Sequence, residues 1–130
     1  MEINILAVIV AAVASWLVGA AWYGILGKQW QAALGWKEGD PRPHPAVPMI
    51  VSIVAELLMA FMLAGLIFHM GGPALVRGMI AGALIWLGFV LTTGVVNNAF
   101  QGKRLALNVI DGGHWLLVLV VQGAVIGAFG

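Results

Sequence analysis

Four long apolar segments constrain this chain more than any other feature. They cover about residues 3–26, 47–70, 74–99 and 107–129. The hydrocarbon core of a bilayer is about 30 Å thick, and a helix needs roughly 20 apolar residues to cross it. Within lipid, only helices and closed barrels satisfy their own backbone hydrogen bonds. The sequence therefore predicts an all-α membrane protein: one domain, residues 1–130, that forms a four-transmembrane-helix bundle in the lipid bilayer.

The composition argues against a water-soluble domain. Of the 130 residues, 62% are hydrophobic and only 8% are charged, and the mean hydropathy is +1.04. Soluble domains carry about 25% charged residues. The net charge of +1 and the lack of a basic run speak against a nucleic-acid partner. The chain has no cysteine, which excludes disulfides and thiolate chemistry.

The connection predicted at residues 27–46 is the longest. Prolines at positions 41, 43 and 45 break any helix there. Two interpretations of its first part remain open: a short interfacial helix from about Lys28 to Leu34, or a loop with tryptophan anchors. The apolar run before it is longer than the core of a signal peptide, so we expect a retained helix.

The basic residues predict the orientation, since lysine and arginine concentrate in cytoplasmic loops. One side of the predicted bundle has only Arg77, whereas the other has Lys28, Lys37, Arg42, Lys103 and Arg104. This bias predicts that the connections after the first and third helices lie in the cytoplasm. Both termini are then on the non-cytoplasmic side.

Glycines at contact spacing predict where helices pack tightly. Gly78 and Gly82 form one GxxxG pattern, Gly123 and Gly127 form another, and Gly19 belongs to a stripe of small residues on the first helix. Small residues let helix backbones approach closely in lipid. We expect most of these faces to be contacts within the chain, with the rest available for oligomerisation.

Polar residues within the spans predict a site. Glu56, Asp111 and His114 are ionisable residues at membrane depth, where such side chains by default face the bundle interior. A candidate binding cluster in the cytoplasmic half then comprises Glu56, Asp111, His114, Asn97, Thr93 and Tyr23. Two interpretations stand: a pocket in which Glu56 accepts a proton or cation, or a hydrogen-bond network that locks the helices. In either case we expect Glu56 to face Asp111, His114, Thr93 or Asn97.

The chemistry of this cluster is left open by the sequence. Carboxylate and imidazole groups suit several divalent metals, but three such ligands without a signature spacing are a weak pattern, and we assign no metal site. Ligation of a pigment or haem by His114 stays open, and the sequence identifies no cofactor. No nucleophile elbow or phosphate-binding loop is present, so we assign no catalytic residue and do not expect an enzyme.

Residues 22–30, WYGILGKQW, resemble the WYG-x-LFGK-x-W signature of the domain-of-unknown-function 1761 family of small bacterial integral membrane proteins. The phenylalanine expected before Gly27 is missing. Further similarity to the family lies at residues 82–89, 97–100, 104 and 110–114. Where this chain has Gly113 and His114, the family often has Gly-Tyr, so the resemblance gives His114 no general role. It implies a multi-pass protein of the bacterial inner (cytoplasmic) membrane, with no known activity.

Two functional classes follow. In the first, the protein binds or translocates a small solute or ion through the polar cluster, as a homo-oligomer, because four helices enclose little volume. In the second, it is a small accessory or assembly subunit of a larger membrane protein complex.

Overall fold

The structure, a computed structural model, describes residues 3–130, and every regular element in that range is helical. The elements are α1 (Ile5–Leu34), α2 (Ala46–His69), α3 (Leu75–Ile85), a π-helical segment (Trp86–Leu91), α4 (Thr92–Phe100) and α5 (Leu105–Phe129). The third span, Leu75–Phe100, consists of α3, the π-helical segment and α4. The four spans are long and apolar enough to cross a membrane. The chain is therefore an all-helical, multi-pass membrane protein.

Helix α1 continues past its predicted end at residue 26 and stops only at Leu34. Residues 28–34 contain neither proline nor glycine and are mostly good helix formers, so nothing interrupts the helix there. Gly35 ends it with a φ of 77°, a left-handed conformation that glycine adopts without a steric penalty. The stretch is thus neither a separate interfacial helix nor a loop, and the connection shortens to residues 35–45.

Helix α5 is the centre of the bundle, since it packs against α1, α2 and all parts of the third span. Its contact with α3 is made backbone to backbone. A Cβ atom added to Gly78 would collide with the carbonyl of Gly123, and one added to Gly82 would collide with that of Leu119. Gly127 meets the Ala74 carbonyl in the same way. The two GxxxG patterns therefore meet each other within one chain.

The third span, predicted as one helix, changes pitch at the π-helical segment. A π-turn displaces backbone carbonyls from their usual α-helical partners. The Thr92 hydroxyl donates to the Gly88 carbonyl at 2.9 Å, and the Thr93 hydroxyl donates to that of Phe89. Such threonine bonds keep the backbone satisfied in lipid. After this segment, α4 packs much less closely on α5 than α3 does.

Hydrogen bonds fix both ends of the bundle. At the short-loop end, which carries residues 70–74, Asn4 donates to the Phe129 carbonyl at 2.9 Å. At the long-loop end, which carries residues 35–45 and 101–104, the Arg104 guanidinium donates to the Ala32 carbonyl at 2.8 Å. A cation is favourable there, because the carbonyl end of a helix carries negative partial charge.

Candidate functional site

A cavity of about 560 Å³ lies between α4 and α5 at the long-loop end. Helix α2 contributes Met59 to its wall, and two aromatic residues, Phe89 and Trp115, line it as well. The polar side chains in its wall are Thr93, Asn97, Asn98, Gln101, Asn108 and Asp111. The cavity lies where α4 diverges from α5, on the long-loop side of the π-helical segment. It therefore brings together three residues of the predicted cluster: Thr93, Asn97 and Asp111.

The polar wall of the cavity is organised across the two helices. The Asn98 side-chain amide donates to the side-chain oxygen of Asn108, Oδ1, at 2.6 Å and so ties α4 to α5 near the long-loop end. Asp111, three residues further along α5, is the one ionisable side chain among the described residues that line the cavity. The remaining polar groups are amides and a hydroxyl, which both donate and accept hydrogen bonds.

Helix α1 positions the part of α5 that carries Asp111. The Tyr23 hydroxyl donates to an Asp111 carboxylate oxygen at 2.6 Å. One residue earlier, the Trp22 indole donates to the Ile110 carbonyl at 2.9 Å. The Trp22 ring packs against Gly113, where an added Cβ atom would come within 2.8 Å of it. These contacts hold the first and last spans together behind the cavity.

His114 lies beside this contact, outside the cavity wall. Its ring centroid is 4.8 Å from that of Tyr23 and 4.5 Å from that of Trp115. Its Nε2 atom packs on Gly19, where an added Cβ atom would be only 2.6 Å away. Its Nδ1 atom is buried and has no hydrogen-bond partner in the part of the chain that the structure describes. Within residues 3–130, no three His, Cys, Asp or Glu side chains group closely enough to hold a metal ion.

Glu56 belongs to a different group, and the expectation that it bonds to Asp111, His114, Thr93 or Asn97 was wrong. Its carboxylate accepts a hydrogen bond from the Ser15 hydroxyl at 3.0 Å. The Gln122 amide donates to the Ser15 oxygen at 3.1 Å and to the Glu56 backbone carbonyl at 3.0 Å. Each of these three side chains is at most 1% exposed. Together they form what we call the central triad, which joins α1, α2 and α5.

The physical reason for this separation is direction around the helix axis. Depth follows from counting residues at 1.5 Å each, and it places Glu56 and Asp111 within roughly one or two turns of each other. Each residue also turns the helix by about 100°, so the partner of a side chain depends on how whole helices are rotated. Counting residues places Ser15 and Gln122 nearer the short-loop end than Glu56, and only the packed bundle shows that they meet it.

Several lining residues were absent from the sequence-based cluster, among them Gln101 and Trp115. Gln101 lies four residues after Asn97, and Trp115 lies four residues after Asp111. Residues four apart share a helix face, so this spacing is the signal that points to both. Ser52, which has a similar depth, instead accepts a hydrogen bond from the Trp16 indole at 2.9 Å. It therefore serves the contact between α1 and α2.

Comparison with known proteins places the chain in a family without giving it an activity. No curated protein and no solved structure matches it. The family model described as "Protein of unknown function (DUF1761)" matches residues 6–127, which covers nearly all of the four spans and includes the cavity and the central triad. By this match, the chain is a member of the DUF1761 family of proteins of unknown function.

Proposed function

We propose that the protein binds a small polar solute in the cavity between α4 and α5. The observation that carries this proposal is the convergence of six polar side chains on a half-open cavity of about 560 Å³ between two membrane-spanning helices, three of them, Thr93, Asn97 and Gln101, being exposed. Polar side chains within a membrane-spanning segment cost free energy unless they find hydrogen-bond partners. Ligand sites in helical membrane proteins are built in this way, from side chains of facing helices around a gap.

Binding has more support than passage through a single protomer. Beyond the cavity, toward the short-loop end, α3 and α5 touch backbone to backbone at Gly78 and Gly123. An apolar cluster that includes Leu119 and Ile126 fills the space beside them. A translocation path would therefore need either a second copy of the chain or a movement of α4 about the π-helical segment.

The orientation belongs to the same proposal. The long-loop end carries five basic residues, and the short-loop end carries Arg77 alone. We therefore place the long-loop end, and with it the cavity, on the cytoplasmic side of the inner membrane of a bacterial cell. Solute would then enter from the cytoplasmic side.

The second candidate function is an accessory or assembly subunit of a larger complex. The third span favours it, since only 11% of its most apolar stretch is buried, which leaves broad faces for a partner or lipid. The glycine patterns no longer argue for self-association, because they are occupied within the chain. Purification in a mild detergent separates the candidates: other chains present in fixed ratio favour the subunit role, and a single species favours solute binding.

A test of the cavity uses single cysteines, because the native chain has none. Asn97→Cys places a thiol in the cavity wall, and Val96→Cys places one on the neighbouring exposed face, outside that wall. Only the thiolate reacts, and lipid suppresses its formation. In membranes, N-ethylmaleimide should label Asn97→Cys about tenfold faster than Val96→Cys, and bound solutes should slow that labelling. Equal slow rates at both positions would refute the cavity.

A further inference from the structure

We infer that the cavity takes a small organic cation, such as an ammonium group on an apolar body. This inference rests on the proposed function and adds the chemical class of its solute. It follows from three properties of the cavity wall: one acidic side chain, aromatic rings, and amides that supply hydrogen-bond acceptors.

The charge in the cavity wall is negative and lacks a basic partner there. Asp111 is half-buried, and the hydrogen bond that it accepts comes from a neutral group, the Tyr23 hydroxyl. No lysine, arginine or histidine occurs among the described residues that line the cavity. His114, three residues after Asp111, lies outside the cavity wall with its ring against Tyr23. The nearest lysine or arginine along the chain, Arg104, donates to the carbonyl of Ala32. A carboxylate in such surroundings favours a cationic ligand and disfavours an anion.

The size and the lining residues of the cavity favour an organic cation over a metal ion. Calcium takes six to eight oxygen ligands, and magnesium needs near-octahedral coordination at short distances. One carboxylate in about 560 Å³ offers neither the ligand number nor the tight fit. The Trp115 and Phe89 rings, together with Met59, instead provide apolar and aromatic surface. Aromatic faces attract ammonium groups through cation–π interactions.

The experiment compares two thiol reagents of similar size and opposite charge on Asn97→Cys. One is trimethylammonium-ethyl methanethiosulfonate and the other is sulfonatoethyl methanethiosulfonate. Each rate is divided by the rate of the same reagent with β-mercaptoethanol, an uncharged thiol. We expect the cationic reagent to be favoured by about tenfold after this correction, because a carboxylate in the wall attracts it. Equal rates, or a preference for the anionic reagent, would overturn the inference.

Variants of Asp111 test whether that carboxylate is the cause. Asp111→Asn in the Asn97→Cys background should remove the preference while leaving labelling by neutral N-ethylmaleimide within about twofold. Asp111→Glu keeps the charge and should keep the preference. A preference that survives in Asp111→Asn would contradict the role given to this residue.

A competition measurement needs no change at Asp111. Tetramethylammonium chloride should slow labelling of Asn97→Cys by N-ethylmaleimide several-fold more than sodium methanesulfonate at the same concentration. Equal effects of the two salts would refute the cation class while leaving the cavity in place. If N-ethylmaleimide itself fails to label Asn97→Cys faster than Val96→Cys, the proposed function falls, and this inference with it.

Discussion

The Tyr23 hydroxyl donates a hydrogen bond of 2.6 Å to Asp111 and thereby links the first span to the last at the wall of the cavity. The Tyr23 ring is held in turn between His114, at 4.8 Å, and Trp30, at 5.4 Å between ring centroids. Trp30 lies in the part of α1 that extends past residue 26. The extension of α1 thus supports the tyrosine that fixes the direction of the Asp111 carboxylate.

Tyr23→Phe should therefore act on stability through Asp111. A hydrogen bond to a charged group contributes roughly 1.5–3 kcal/mol, so Tyr23→Phe and Asp111→Asn should show a coupling of about 1–2 kcal/mol in a double-mutant cycle. The measurement is equilibrium unfolding in mixed detergent. Asp40→Asn, on the exposed connection, serves as the uncoupled partner for Tyr23→Phe. Purely additive effects of Tyr23→Phe and Asp111→Asn would show that the bond is not formed.

Gly82→Leu and Gly123→Leu should each disrupt the contact between α3 and α5. Both positions lie against backbone atoms of the facing helix, which cannot move aside as a side chain would. Overpacking of this kind costs about 1–3 kcal/mol or more, so the midpoint of thermal unfolding should fall. Gly88→Leu is the matched control in the same span, because no atom lies within 4 Å of a Cβ atom there. If the Gly82 and Gly123 variants unfold like Gly88→Leu, the packed interface is wrong.

Glu56 should behave as a structural residue of the central triad. Glu56→Gln preserves shape and the ability to accept from Ser15, so stability and the labelling of Asn97→Cys should both stay close to those of the native side chain. Glu56→Leu removes this hydrogen bond and leaves the Ser15 hydroxyl with the Ala12 carbonyl, at 3.0 Å, as its acceptor, so it should cost about 0.5–1.5 kcal/mol. Leu58→Ala, at an exposed position on the same helix, controls for changes to α2 itself. Loss of labelling in Glu56→Gln with native stability would instead make Glu56 part of the solute site.

The topology can be tested at Gly130. A reporter that is active only in the cytoplasm should be inactive when fused after this residue, since the bias of basic residues places the short-loop end outside. The same reporter inserted at residue 39, in the connection 35–45, should be active and serves as the control. Strong activity of the fusion at Gly130 would reverse the orientation proposed for the bundle.

The sequence alone was enough to predict the spans, because crossing a bilayer depends on local length and hydropathy. Three of the four predicted segments agree to within about two residues with the spans Ala46–His69, Leu75–Phe100 and Leu105–Phe129. The sequence-based prediction missed the extension of α1, because it ended the helix where the apolar run ends. A helix can continue through polar residues until a residue such as Gly35 ends it. The π-helical segment was missed as well, since the apolar pattern of residues 86–91 fits an α-helix equally well.

The tertiary structure alone decided which polar side chains meet. Depth along a span can be counted from the sequence, and it brought Glu56, Asp111 and Asn97 into one predicted cluster. The direction of a side chain around its helix depends on how the helices rotate against each other, and that depends on contacts such as those of Gly78 with Gly123. Packing placed Glu56 with Ser15 and Gln122, and it left Asp111 at the cavity with Tyr23 behind it. Local sequence determines which segments enter the membrane, and long-range packing determines which side chains face each other within it.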